Sequence, residues 1–210
     1  PPLFELGTRL NSLRGTELSR AAEIGDSESV TSLLKDPGNV HLCFGGSGVC
    51  PLHLAAGNGH LGVVKRLVEA GVDADQKTLD DSNVSPLYYA AQGGWVEVVS
   101  YLLNDVNSIN INHETRSGLT PLFIASAMGS LPVVEQLVRA GANVDILTND
   151  EFQLTPLFIA VQQGAEKVVR YLLNNGADPT IRCADKTPFS VAVTREHFSI
   201  ARLLLEYGAD

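Results

Sequence analysis

Tryptophan and methionine occur once each in this chain of 210 residues, and all aromatic side chains together make up only 6%. Such scarcity excludes a core built on large rings. With 44% apolar residues, the chain must instead bury Ala, Leu and Val, as closely packed helices do. Cations are also scarce: 15 Lys and Arg stand against 24 Asp and Glu, a net charge of −9, and no basic run occurs. Nucleic acid and anionic membrane are therefore not expected partners. No apolar run approaches the roughly 18–20 residues of a membrane helix. No signal peptide is seen, but the chain opens at Pro1 without a methionine, so it reads as part of a longer protein whose targeting signals lie elsewhere. Three cysteines without framework spacing suggest a reducing compartment, the cytoplasm first and the nucleus as the other choice.

What the chain does have is a sentence written many times. Thr155-Pro156-Leu157-Phe158-Ile159-Ala160-Val161-Gln162-Gln163-Gly164 reads as a short helix ending in a tight turn. Thr155 is a good N-cap, and Pro156 at the first helical position gives up no needed N–H. A second helix runs from Ala165 to the stop at Gly176, where glycine suits a left-handed residue. Copies begin at Cys50-Pro51, Ser85-Pro86, Thr120-Pro121, Thr155-Pro156 and Thr187-Pro188. Their prolines are 35, 35, 35 and 32 residues apart. Eight residues after each proline comes Gly59, Gly94, Gly129 or Gly164, with Glu196 in the last copy. Closing signals are Ala70-Gly71, Ala140-Gly141, Gly176-Ala177 and Gly208-Ala209.

A period near 33 with this helix–turn–helix grammar marks a solenoid, and the chain resembles an ankyrin-repeat protein over residues 16–210. The resemblance implies an all-α solenoid of stacked helix–turn–helix units with projecting β-hairpin or loop fingers. Repeats are expected at about 16–36, 45–75, 80–107, 115–145, 150–180 and 182–210. Residues 1–15, with Leu3, Leu6, Leu10 and Leu13 on one face, are expected to form a capping helix or flanking segment. Residues 37–49 read as a glycine-rich finger. Cys50 replaces the usual threonine and should weaken its cap by about 1 kcal/mol. The third copy exits through Asn104-Asp105-Val106-Asn107 without a stop glycine. The sixth copy offers an apolar face of Ile200, Leu203 and Leu204 that nothing after Asp210 covers.

Several chemical motifs are matched only on paper. Gly57-Asn58-Gly59-His60-Leu61-Gly62 satisfies a dinucleotide-binding pattern but follows a helix where that chemistry needs a strand. His41, Cys43, Cys50 and His53 are zinc-ligand types, yet Cys50 and His53 belong to the repeat's opening box, where the family's histidine is structural. Ser47 in Gly45-Gly46-Ser47-Gly48 lacks a nucleophile elbow. Asn110 and Asn112 sit near where asparagines of this family are sometimes hydroxylated, and they read as turn residues. Tyr88, Phe123 and Phe158 recur at one repeat position and read as inter-repeat packing. No catalytic constellation and no cofactor site is found, so the chain is read as not an enzyme.

The family scheme places certain finger and first-helix positions on a concave surface, where an apolar side chain has no core to enter. Those positions hold Leu119, Met128, Phe152 and Leu154, with Asp80, Asp81, Asp150 and Glu151 at finger tips and Gln92, Gln162, Gln163 and Thr194 beside them. An acidic rim around an apolar centre suits a partner segment carrying Lys or Arg. The expected function is a non-enzymatic protein-binding module, a monomeric array that holds a protein or peptide. The alternative is a substrate-recruiting domain of a larger enzyme or effector whose catalytic part lies outside this chain.

Overall fold

The structure is a computed structural model, and its described residues are 17–36, 38–39, 48–107 and 109–209. The expected capping segment over 1–15 and most of the glycine-rich finger lie outside them. Twelve helices follow in pairs among the described residues. They are α1 (described over 17–24), α2 (Ser27–Leu33), α3 (Pro51–Gly57), α4 (Leu61–Glu69), α5 (Pro86–Gly93) and α6 (Val96–Asn104). The series continues with α7 (Pro121–Ala127), α8 (Leu131–Arg139), α9 (Pro156–Gln162), α10 (Glu166–Asn174), α11 (Pro188–Thr194) and α12 (Phe198–Glu206). The chain divides into two compact units, one ending at Ile109 and one beginning at Asn110. In the first, α3 stacks on α5, and α2 on α4 on α6. In the second, α7, α9 and α11 form one row and α8, α10 and α12 the other.

The local grammar explains where the first helix of each pair starts. Ser85, Thr120, Thr155 and Thr187 each accept, through the side-chain oxygen, the N–H three residues on, at 3.1–3.3 Å. Proline follows in every case. The leucine after it is sealed: Leu52, Leu87, Leu122 and Leu157 are 0–1% exposed. Alanines at 55, 56, 90, 91, 125 and 160 are fully buried and let neighbouring helices approach closely. Second helices bury Val63, Val64 and Leu67, and their counterparts Val98, Val99, Leu102, Val133, Val134, Leu137, Val168, Val169 and Leu172. Each such side chain contributes roughly 1.5–3 kcal/mol of burial.

The second helices α4, α6, α8, α10 and α12 start without a side-chain cap, whereas Asp26 caps α2 by accepting the Ser29 N–H at 3.0 Å. At α4, α6 and α12 a ring at the entry position, His60, Trp95 or His197, lies against the previous turn. Trp95 Nε1 donates to the Gly57 carbonyl at 2.6 Å, and a Cβ on Gly59 would collide with the indole. His197 sits the same way against Gly164, where a Cβ would fall 2.8 Å from the imidazole. Both glycines have positive φ, 76° and 71°, so conformation and space select glycine together. Glu196 takes the corresponding left-handed position in the last pair, at φ 60°.

The face expected to lie open on the last pair is closed. Ile200, Leu203 and Leu204 are at most 2% exposed, because that stripe of α12 turns in toward α11 and α10. Phe198, Leu205 and, on α11, Val193 are the apolar residues in the open, at 66, 53 and 45%.

His53 joins two pairs. Its Nδ1 accepts the Cys50 N–H at 3.1 Å, so Nε2 carries the proton and donates to the Val84 carbonyl, also at 3.1 Å. The ring is fully buried and meets Tyr89 edge-on, with centroids 5.6 Å apart. Burial, which penalises the imidazolium, pulls its pKa down to about 4.

Two outcomes follow from this packing. Ser126 is 0% exposed and its hydroxyl has no partner, while the same position holds alanine at 56 and 91. Ser126→Ala should therefore stabilise by about 1 kcal/mol in urea unfolding, and a loss would show a hidden hydrogen bond. A folded pKa below the unfolded value near 6.5 means that the unfolded chain takes the proton first. The His53 contribution is whole above pH 6.5 and shrinks by up to about 3 kcal/mol as pH falls toward 4. Unfolding curves across that window should be steeper in pH for the parent than for His53→Gln, and equal slopes would remove His53 from the account.

Candidate functional site

The fingers are loops held by side-chain hydrogen bonds rather than by a sheet. Among the described residues, strand pairing amounts to isolated bridges such as Cys183 with Lys186. In the finger before α9, Thr148 N donates to the Leu154 carbonyl at 3.0 Å, and Leu154 N donates back to Thr148 Oγ1 at 2.8 Å. The Thr148 hydroxyl then donates to Asp150 at 2.7 Å, and Asp150 also accepts the N–H groups of Phe152 and Gln153. The finger before α5 repeats this clasp. Thr78 N meets the Val84 carbonyl, Val84 N meets Thr78 Oγ1, and Asp80 accepts from Thr78 and Ser82. Those hydrogen bonds, Ser82 foremost, hold the Asp80 carboxyl below its usual range. The finger closed by Thr115 and Leu119 is shorter, with a left-handed Gly118 at its tip.

Below the fingers, Asx side chains tie one turn to the next. Asn110 Oδ1 accepts the Asn112 N–H, Asn112 Oδ1 accepts the Asn143 N–H at 2.8 Å, and Asn143 Oδ1 accepts that of Asp145. Asp145 accepts from Asp178 N at 3.1 Å. Burial, more than the nearby Asp178 charge, raises the Asp145 pKa. Asn110 and Asn112 are thus structural acceptors within this unit.

The second unit holds a cleft of about 330 Å³ between α9, α11 and their fingers. Phe152, Leu154, Phe158, Cys183 and Val191 give it an apolar wall, and Gln162 and Thr194 add polar groups. Lys186 and Arg195 complete the lining. Phe152, Leu154, Gln162 and Thr194 were legible from sequence. Phe158, read as packing, is buried at 5% yet still forms part of the wall. Sequence reasoning missed Lys186 and Arg195. No signal in the sequence announced them: the turn that carries Lys186, Ala184-Asp185, has positive φ at both positions without the glycine that would mark it.

The other expected contact residues do not join this cleft. Met128 is 55% exposed at the end of α7, Leu119 is half-buried beneath its finger, and Gln163 is exposed at the end of α9. Asp150 and Glu151 are exposed on the finger, with Asp150 directed into the clasp described above. Asp80, Asp81 and Gln92 belong to the first unit, where Asp81 and Gln92 are exposed and Asp80 is half-buried. The charged side chains of the lining itself are the cations Lys186 and Arg195, while the acids Asp150 and Glu151 stand outside it on the finger.

The chemical motifs resolve locally. Gly57 ends α3 and Gly59 lies under the Trp95 ring, so no loop is left to cradle a phosphate. Both ring nitrogens of His53 are engaged, and Cys50 is disulfide-bonded, so neither is placed as a metal ligand. His41, Cys43 and Ser47 lie outside the described residues. Burial pushes the Cys183 thiol up, away from the thiolate. No helix among the described residues is long and apolar enough to cross a membrane.

A family model described as ankyrin repeats (3 copies) matches residues 18–112, 72–150 and 143–210. No curated protein matches the chain.

The clasp makes a local forecast. Thr148→Val removes both the acceptor for Leu154 N–H and the donor to Asp150. Amide exchange at Gln153 and Leu154 should speed up about tenfold while the melting temperature barely moves. Unchanged protection would show that the finger is held by something else.

Proposed function

The chain belongs to the ankyrin-repeat family, and from that premise we propose that it is a binding module for another protein, holding a peptide segment in the α9–α11 cleft and along the fingers beside it. Members of this family are generally protein–protein interaction modules and are typically non-catalytic. The supporting observation is the cleft. Phe152 is 46% exposed, Leu154 is half-buried, and both stand on a finger tied by four hydrogen bonds at Thr148 and Asp150. Apolar surface fixed in this way gives a partner side chain somewhere to leave water, and little of the receptor remains to be ordered on binding. On this reading Met128 and the outer finger residues Glu151 and Gln163 form the rim of the contact.

Pull-down from cell lysate with the parent and with Phe152→Ala/Leu154→Ala tests it, once both are shown to melt alike. The expected result is at least one protein retained by the parent and lost by the variant. An identical set of retained proteins would overturn the cleft as the contact. Nothing retained by the parent above bare resin would overturn the binding-module reading itself.

A further inference from the structure

We propose that the α9–α11 cleft selects a peptide segment in which one apolar side chain is flanked by acidic residues. This deepens the binding-module reading above and rests on it. Three observations converge. First, at about 330 Å³ the cleft lies at the small end of the roughly 300–1,000 Å³ range of ligand sites, a size for an anchoring side chain. Its walls, Phe152, Leu154, Phe158 and Val191, are apolar, so the anchor must be apolar too.

Second, the cations of the lining are uncompensated. Arg139, Arg170 and Arg202 each pair with a glutamate on their own helix, and Lys77 pairs with Asp75. Lys186 and Arg195, both exposed, have no ion-pair partner among the described residues. In a chain of net charge −9, two open cations at one cleft run against the overall charge and attract carboxylates to that place.

Third, the backbone that presents Lys186 is strained. Cys183 and Lys186 exchange both backbone hydrogen bonds, at 2.9 and 3.0 Å, across a turn with φ 48° at Ala184 and 62° at Asp185. A turn of this kind favours Asn-Gly, and left-handed alanine is costly. Those two hydrogen bonds hold Ala184 and Lys186 in the cleft lining against that strain, and strained backbone concentrates at sites of function.

The occupant is thus a peptide segment with an apolar anchor and Asp or Glu carboxylates within reach of Lys186 and Arg195.

A displayed library of random short peptides, fused at their C-terminal ends so that no terminal carboxylate is free, tests the inference on the full chain. Enriched peptides should carry an aromatic or large aliphatic residue with Asp or Glu beside it. Measured by fluorescence anisotropy, such a peptide should bind about tenfold more weakly to Lys186→Glu/Arg195→Glu, and its advantage should fall with added salt. Both side chains are exposed, so the variant should melt like the parent. Enrichment of Lys or Arg beside the anchor, binding indifferent to the charge reversal, or no enrichment at all would overturn the proposal. If lysate proteins are still lost with Phe152→Ala/Leu154→Ala, the module reading stands without it.

Discussion

A helix of seven residues is not stable alone in water, because nucleation consumes more order than so few hydrogen bonds return. The first helices α3, α7, α9 and α11 are each seven residues long, and α5 is eight. They exist because a sealed leucine or its equivalent and a proline act together on each, with a threonine or serine cap on all but α3, which starts at Cys50. They also exist because the neighbouring pair covers what one pair leaves bare. Dependence on the neighbour is the constraint from which the rest follows. It requires alanine where helices meet, a ring over the preceding turn, and a buried histidine that bonds to a carbonyl 31 residues on, at the start of the next pair.

The loops obey a second rule. Without a sheet, their backbone polar groups need partners, and short polar side chains supply them. Thr78 and Thr148 each close a finger by accepting one amide and donating to an aspartate. Asn112 and Asp145 carry the same service from one turn to the next. Many of the acidic and amide side chains that look like recognition elements in the sequence are therefore committed to the scaffold. Residues left over for a partner are fewer, and two apolar ones among them, Phe152 and Leu154, stand on the finger tied by the Thr148–Asp150 clasp.

That division explains why the charge of the whole chain misleads about the site. Net charge describes solubility and long-range steering, whereas a cleft is felt by a ligand through the few groups at its mouth. Asp150 turns to its own finger, while Lys186 and Arg195 line the cleft, so the charged groups of the lining have the opposite sign to the chain as a whole.

Residues within four or five positions of one another determined the helices, their caps and their stops, and these were legible directly. Thr155 with Pro156 marks where a helix starts, and Gly176 where one ends, once the neighbouring pair holds that helix in place. Repetition of that grammar made the stacked architecture legible too, along with Phe152, Leu154, Gln162 and Thr194 as surface positions. What the tertiary structure alone decided is which of them share a cleft, and what else enters it. Val191, Lys186 and Arg195 come to Phe152 from some 30–40 residues away, brought there by the packing of α11 on α9. Local sequence fixes where a side chain leaves its own backbone. Only the approach of a second segment, which depends on the whole stack, sets what it faces.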